Sequence, residues 1–113
     1  MIETVVLNHL MEELNMTDVY MEVPEDNLPE RFVVVEKTGG NRENYIYQSS
    51  FAVQSYGPSK LAAAILNDAV KGAMDSLIEE KEVTKAAYDS DYDYTDAETK
   101  RYRYQCVYDI THY

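Results

Sequence analysis

The residues of this sequence that could take part in chemistry are few and far apart. His9 and His112 lie at opposite ends of the 113-residue chain, and Cys106 is the only cysteine. Nucleophilic catalysis needs a nucleophile, a base within hydrogen-bond reach and a group that orients the base. The spacing suggests no such set, and no Gly-x-Ser-x-Gly elbow occurs. We therefore predict that the chain is not an enzyme and that it binds no cofactor.

We interpret His9 and Cys106, which lie in predicted regular secondary structure, as structural residues. His9 lies beside the apolar stripe of an N-terminal helical segment and has no second ligand four residues on, so we interpret it as a packing or helix-surface residue. Cys106 cannot form an internal disulfide, and it falls among strand residues, which indicates a buried thiol.

A calcium site is the one metal interpretation that the sequence suggests. Asp89, Asp91 and Asp93 have the 1, 3, 5 spacing of an EF-hand loop, but Tyr94 stands where that loop needs glycine and Lys100 where it needs a bidentate glutamate. We therefore predict no metal site and interpret residues 88–98 as an exposed acidic loop or strand edge. A metal-dependent enzyme that uses these aspartates is the alternative, and it requires saturable binding of a divalent cation.

A pair of glycines near the middle of the chain could be mistaken for a phosphate-binding loop. The segment Thr38-Gly39-Gly40-Asn41 lacks the Gly-Lys-Ser/Thr ending of a P-loop and is followed by a strand pattern instead of a helix. Because Gly and Asn tolerate positive φ, we predict that this segment is the tip of a β-hairpin.

The composition restricts the classes of partner. The chain has 21 acidic and 10 basic residues, a net charge of −11, and a surface that grips nucleic-acid phosphates instead clusters Lys and Arg. An acidic surface can still face DNA, either to let it slide past or to imitate it. The 11 tyrosines and the absence of tryptophan favour strands and protein interfaces.

The hydrophobic periodicity predicts an α+β domain, with two helices packed on one face of a mixed or antiparallel sheet of about four to five strands. Gly57 is expected to take the turn backbone between strand and second helix, and Pro58 the first helical position. The second helix is predicted to pack through a stripe at every fourth residue: Leu61, Ile65, Ala69, Ala73 and Leu77. The predicted elements, in the order helix-strand-strand-strand-helix-strand-strand, are residues 2–15, 18–23, 32–37 (a strand covered on both faces and central), 44–55, 60–78, 83–87 and 101–111.

Residues 1–113 have the length of a single domain. The sequence contains no apolar run of the roughly 18 residues that a membrane span needs, and its N-terminus lacks the pattern of a signal peptide. We therefore expect a single domain that is made in the cytoplasm and has no membrane partner.

The order of several segments resembles a known family. These are Val23-Pro24, the run from Pro29 to Gly40, a strand ending Gln54-Ser55-Tyr56-Gly57, an Ala-rich helix, and an Asp/Tyr segment leading into Arg103-Tyr104-Gln105. This arrangement resembles the small tail-terminator proteins of long-tailed bacteriophages, which are also described as minor tail or head-tail joining proteins. The likeness covers nearly the whole chain, and the dense Asp and Tyr residues from Tyr88 to Tyr94 depart from it.

The resemblance implies a structural role in virion assembly. A subunit of this family belongs to a homo-oligomeric ring, commonly hexameric, that caps the tail tube protein, stops tube polymerisation and offers a docking face for the head connector protein. DNA passes through an acidic lumen without specific binding, and the protein is located in the virion tail and, during assembly, in the host cytoplasm. The resemblance gives Tyr47, Tyr102 and Arg103 as candidates for the subunit interface, and ordinary packing within the sheet is the alternative for each tyrosine. Its candidates for partner-contact loops are Gly39, Gly40, Asn41, Arg42, Glu43, Asp89, Asp91, Asp93 and Asp96.

Two further interpretations remain open. A head-side connector or adaptor protein has a similar size and also forms rings. Only co-purification with tail tubes or with empty heads distinguishes a tail terminator from a connector. An acidic DNA mimic that blocks a DNA-binding protein would also suit the net charge. Against the mimic stand the interspersed cations Lys81, Lys85 and Lys100 to Arg103.

Overall fold

The computed structural model describes all residues, 1–113. Neither of its two α-helices combines the length and the apolar content that crossing a membrane requires. In chain order the elements are α1 (Ile2–Leu14), β1 (Val19–Tyr20), β2 (Phe32–Glu43), β3 (Ile46–Gly57), α2 (Lys60–Asp75), a 3-10 turn (Ser76–Glu79), β4 (Val83–Asp93) and β5 (Tyr102–His112).

The strands form one mixed five-stranded sheet in the order β1-β2-β3-β5-β4. β1 is parallel to β2, and every other neighbouring pair is antiparallel. The predicted α+β class and the predicted order of helices and strands are confirmed. β1 and β4 are the edge strands, and β2 is a second edge beyond Val34, because β1 pairs only with Val33 and Val34.

The main core lies between the sheet and the two helices. Its 16 buried residues come from both helices, the 3-10 turn and all five strands, among them Val6 and Leu10 of α1, Phe51 of β3 and Tyr108 of β5. Alternate residues of β2 point to opposite faces, so Val33 and Val35 join this core while Phe32 and Val34 form a smaller cluster with Tyr56 on the other face. The prediction that β2 is covered on both faces is therefore confirmed over its first four residues.

The hairpin turn lies further along the chain than predicted. β2 runs through Gly39 and Gly40 to Glu43, with a register shift between Lys37 and Gly39, and no glycine has positive φ. The turn is made by Asn44 (φ 51°) and Tyr45 (φ 67°). The predicted hairpin tip at 38–41 is therefore wrong, because the two glycines were taken to mark a turn when they lie inside an irregular strand.

Two strand boundaries also differ from the predictions. β1 contains only Val19 and Tyr20 instead of residues 18–23, and β4 continues past the predicted residue 87 to Asp93. The edge strand β4 therefore contains Asp89, Asp91 and Asp93. The sequence had allowed either an exposed acidic loop or a strand edge for this segment, and the structure has the strand edge. A register shift between Tyr88 and Ser90 marks a bulge at Asp89.

The packing face of α2 was only partly predicted. Ala73 and Leu77 are buried, but Leu61 is 71% exposed and Ile65 is 61% exposed. An α-helix turns by 100° per residue, so a stripe at every fourth residue rotates by about 40° per step and leaves the core-facing side. The residues that α2 buries are Ala63, Asn67, Val70, Ala73 and Met74.

A short, closely packed connection joins β3 to α2. Ser59 is the N-cap, and its hydroxyl accepts a hydrogen bond from the Ala62 amide at 3.1 Å, so Pro58 precedes the helix instead of beginning it. Gly57 has no positive φ. It is required by close approach, since a Cβ there would lie 2.7 Å from the Ala63 nitrogen.

Candidate interaction surfaces

The sheet face away from the helices carries an aromatic cluster centred on Arg103. The guanidinium donates to the Tyr56 hydroxyl at 2.8 Å and to the Tyr94 carbonyl at 2.7 Å, and it lies over both rings, 4.4 Å from the Tyr94 centroid. Phe32 stacks on Tyr56 at 4.3 Å. Arg103 is thus held within its own subunit by cation–π and hydrogen-bond contacts, while the neighbouring Tyr102 is half-buried. Their role at a subunit interface stays a prediction.

Buried polar side chains continue this face toward β4. Gln54 of β3 donates to Gln105 of β5, and Gln105 donates to the Tyr92 hydroxyl at 2.6 Å. The two glutamines are only 4% and 8% exposed, so the hydrogen bonds satisfy groups that would otherwise be costly to bury. These two consecutive hydrogen bonds hold β3, β5 and β4 in register.

The outer half of the β2–β3 hairpin is the most exposed part of the sheet. Every residue from 36 to 48 is exposed, and we call this segment the arm. It contains the predicted contact residues Gly39, Gly40, Asn41, Arg42 and Glu43, which the structure places along one strand instead of in a loop. Its tip presents Tyr45 (84% exposed), Ile46 (45%) and Tyr47 (37%).

The arm divides its charges between its two faces. Lys37 and Arg42 share a face with Tyr47, and together with glycine backbone and Ser49 they line an open groove. Glu36 and Glu43 point to the opposite face, as the strand alternation requires. Neither Lys37 nor Arg42 lies in a salt bridge. The Arg42 guanidinium donates to the Tyr47 hydroxyl at 3.5 Å and lies over the Tyr47 ring, 5.8 Å from its centroid.

The acidic edge strand β4 is largely neutralised by α2. Asp91 accepts from the Tyr88 hydroxyl, from Lys71 at 3.0 Å and from the Asn67 amide at 2.9 Å. These hydrogen bonds, with that of Tyr88 contributing most, lower the pKa of Asp91. The structure therefore uses this carboxylate to bind β4 to α2.

Asp93 and Asp96 are likewise engaged within the chain. Hydrogen bonds from the Thr95 hydroxyl and amide, and an ion pair with Lys60 at 3.1 Å, lower the pKa of Asp93 to about 2. The Thr99 side chain lowers the pKa of Asp96. Of the four predicted contact aspartates, Asp89 alone is exposed and free of such partners apart from the Ser90 hydroxyl. No group of three or more His, Cys, Asp or Glu side chains is arranged to hold a metal ion.

The buried histidine of α1 connects the two helices. His9 is 4% exposed, and its Nδ1 lies 2.8 Å from the Glu80 carboxylate. Its Nε2 lies 2.9 Å from both the Ala73 carbonyl and the Ser76 hydroxyl, which itself donates to that carbonyl. His9 thus packs in the core and holds α1 against the end of α2, as the packing interpretation predicted.

The structure also brings together a serine and a histidine that sequence reasoning missed. The Ser49 hydroxyl lies 2.8 Å from His112 Nε2, and Nδ1 faces the Tyr113 carbonyl at 3.1 Å. A nucleophile must be reached by its substrate, but Ser49 is 2% exposed and His112 is 5% exposed, with Tyr47 stacked on the imidazole at 5.3 Å. The pair links β3 to β5, and only the antiparallel register could have revealed it.

Most of the tyrosine surplus is not used in the core. Only Tyr56 and Tyr108 are buried. The exposed tyrosines are Tyr45, Tyr47, Tyr88, Tyr92, Tyr94 and Tyr113. Exposed tyrosines at this density are typical of protein interfaces, where the ring buries area and the hydroxyl stays hydrated.

The chain resembles a component of a known virion particle in its fold. No protein-family model matches the sequence, and no curated protein does. Among solved structures, the chain is similar to a chain of the native gene transfer agent virion particle, with a TM-score of 0.77. The match covers 97% of this chain and 92% of the other at 14% identity, so it shows a shared fold over nearly the full length of both.

Proposed function

We propose that this chain is a structural, non-catalytic subunit of a bacteriophage-like virion that forms a ring on the end of the tail tube. The observation that carries the proposal is the near full-length fold likeness to a chain of a gene transfer agent virion. The sequence resemblance to tail terminators supports the same conclusion from different features. In this role the ring, which we propose to be hexameric, stops tube polymerisation and provides the surface for the head connector.

The exposed side chains support a protein that works by association. Six exposed tyrosines and the exposed apolar residues of α2 lie on a monomer whose core is already complete. Contacts around a ring are heterologous, so each subunit needs two different patches. Tyr47, at the base of the arm tip, is the most accessible of the proposed interface residues. Tyr102 is half-buried, and Arg103 would act through the aromatic cluster that it stabilises.

The charge distribution supports a passage for DNA that does not bind it. The carboxylates of β4 are mostly paired, but the segment between β1 and β2 presents the exposed residues Glu22, Glu25, Asp26 and Glu30, none of which lies in a salt bridge. We propose that this acidic segment faces the DNA path, because its unpaired charges would repel passing phosphates. The paired β4 carboxylates also give less continuous negative charge than a DNA mimic would need.

The proposal is tested by mixing the purified protein with purified tail tubes and, separately, with empty heads. We expect annular particles capping one end of each tube by electron microscopy, and tubes capped in this way should not lengthen when free tube protein is added. Binding to heads without binding to tubes would assign the protein to the head side. A protein that assembles on neither, and is monomeric by native mass spectrometry at all concentrations, would refute the proposal.

A further inference from the structure

The outer face of α2 is an apolar stripe that nothing in the subunit covers. Leu61 and Ile65 are 71% and 61% exposed, and the exposed Ala69 and Gly72 continue the stripe along the helix. Burying aliphatic side chains is favourable, so two large aliphatic side chains exposed on one helix face indicate a surface that a partner could cover. Exposed apolar patches of this kind mark association sites.

One carboxylate beside this stripe is largely open to solvent. Asp68 lies one turn from Ile65 and its side chain is 78% exposed. The two lysines of α2 are already engaged, Lys60 by Asp93 and Lys71 by Asp68 and Asp91. A partner of this face should therefore present apolar side chains together with cations that lack a carboxylate of their own.

The arm of the same chain has these properties. Its tip carries the exposed Tyr45, and the face that includes Tyr47 carries Lys37 and Arg42 without salt-bridge partners. The lengths also agree: at about 3.3 Å per residue the eight strand residues from 36 to 43 extend about 26 Å. The 16 residues of α2 extend about 24 Å at 1.5 Å per residue.

We infer that the arm of one subunit packs along the outer face of α2 of the next copy, with Tyr45 of the tip on Leu61 and Ile65 and with Arg42 near Asp68. The inference rests on the proposed function, because it names the two unlike patches that a closed ring requires. Such a contact is head-to-tail: every subunit offers one arm and accepts one arm, and no surface meets its own copy.

Two sets of surface variants test the contact. Leu61→Asp with Ile65→Asp disables the helix side, and Tyr45→Asp disables the arm side. Each variant is expected to weaken self-association at least about 30-fold in sedimentation velocity, since the central apolar residues of an interface carry most of its energy. Met21→Asp, an apolar-to-aspartate change at an exposed residue just after β1, is the control and should assemble like the wild type.

Mixing the two variants distinguishes a head-to-tail contact from other arrangements. The helix-side variant keeps its arm and the arm-side variant keeps its helix face, so the mixture should form one-to-one dimers and nothing larger. A mixture that stays monomeric would overturn the inference and leave another surface, such as the β4 edge, as the docking site of the arm. Thermal melts followed by circular dichroism would show that each variant is folded.

Charge reversal gives a second measurement. Arg42→Asp and Asp68→Arg should each weaken assembly about fivefold, and the double variant should recover most of that loss because it restores an opposite-charge pair. Absence of recovery would remove the proposed register of arm and helix.

The outcomes separate this contact from the proposed function. If the wild type forms rings, in solution or on tail tubes, and both sets of variants form them equally well, the contact is wrong and the ring-forming role stands. If the wild type assembles under no condition, both proposals fail.

Discussion

Replacing Gly57 with alanine is expected to reduce the free energy of unfolding by about 3 kcal/mol. The added Cβ would lie 2.7 Å from the Ala63 nitrogen and 3.0 Å from two atoms of Ala62, about 0.7 Å inside ordinary contact at its closest. Overpacking costs about 1–3 kcal/mol, and the upper end applies because most of the opposing atoms belong to backbone.

The helix cannot easily move away to relieve this contact. Its first turn is fixed by the Ser59 cap and by the hydrogen bond from the Ala63 amide to the Ser59 carbonyl at 3.0 Å. Displacing α2 would also loosen the cap, which is worth about 1 kcal/mol. Alanine at position 57 is therefore expected to lower the melting temperature by about 10 °C.

Gly72 provides the matched control. It lies in the interior of α2, it is exposed, and a Cβ there would meet nothing within 4 Å. The same glycine-to-alanine change should raise the free energy of unfolding by about 0.5–1 kcal/mol, because alanine favours the helix and restricts the unfolded chain.

Urea unfolding at neutral pH and at a fixed protein concentration measures both variants. The two substitutions are expected to shift the midpoint in opposite directions without changing the slope. A Gly57→Ala protein within about 0.5 kcal/mol of the wild type would refute the account of the β3–α2 junction.

Three further predictions concern polar and ionisable groups. The lowered pKa of Asp91 means that its contribution to stability is complete above the unfolded value of 3.8 and is lost as the pH falls through the folded value. The wild type should therefore lose more stability than Asp91→Asn when urea unfolding is compared at pH 7 and pH 3. Tyr108→Phe removes a hydroxyl that contacts the Lys71 carbonyl and Asp75, and it should cost about 1–2 kcal/mol in the same assay. Burial raises the pKa of Cys106 to about 12, so a thiol reagent should label it only in concentrated urea.

Each of these expectations has a contrary result. Equal acid sensitivity of the wild type and Asp91→Asn would mean that the carboxylate network of β4 does not stabilise the fold. A Tyr108→Phe protein as stable as the wild type would show that the hydroxyl contacts are replaced by water at no cost. Rapid labelling of native Cys106 would show that the sheet between β3 and β4 opens readily.

The elements themselves could be read from the sequence because they depend on local periodicity. Alternation predicted β5 almost to its boundaries, residues 101–111 against the observed 102–112, with Cys106, Tyr108 and Ile110 facing the core. The apolar run from Phe32 to Val35 predicted a strand with both faces covered, which the two clusters around it confirm. Side-chain alternation is a property of the backbone and needs no knowledge of the partner strands.

Other local signals pointed in the wrong direction. Gly39 and Gly40 were predicted to form the hairpin turn, yet Asn44 and Tyr45 adopt the positive φ values that the turn requires. The position of the two glycines was decided by the register between β2 and β3. Strand pairing continues beyond the glycines, for example between Asn41 and Gln48. A local preference of about a kilocalorie is readily overridden by extended strand pairing.

The sequence by itself determined the order of helices and strands, the acidic surface and the surplus of tyrosine, because these follow from residue type and period. Only the tertiary structure decided which groups meet: Asp91 with Lys71, Ser49 with His112, and Arg103 between two tyrosine rings. It also decided that Leu61 and Ile65 face outward, because the packing of α2 on the sheet determines which side of the helix is buried. Such pairings join residues distant in the chain, and their energies depend on distances that no local pattern contains.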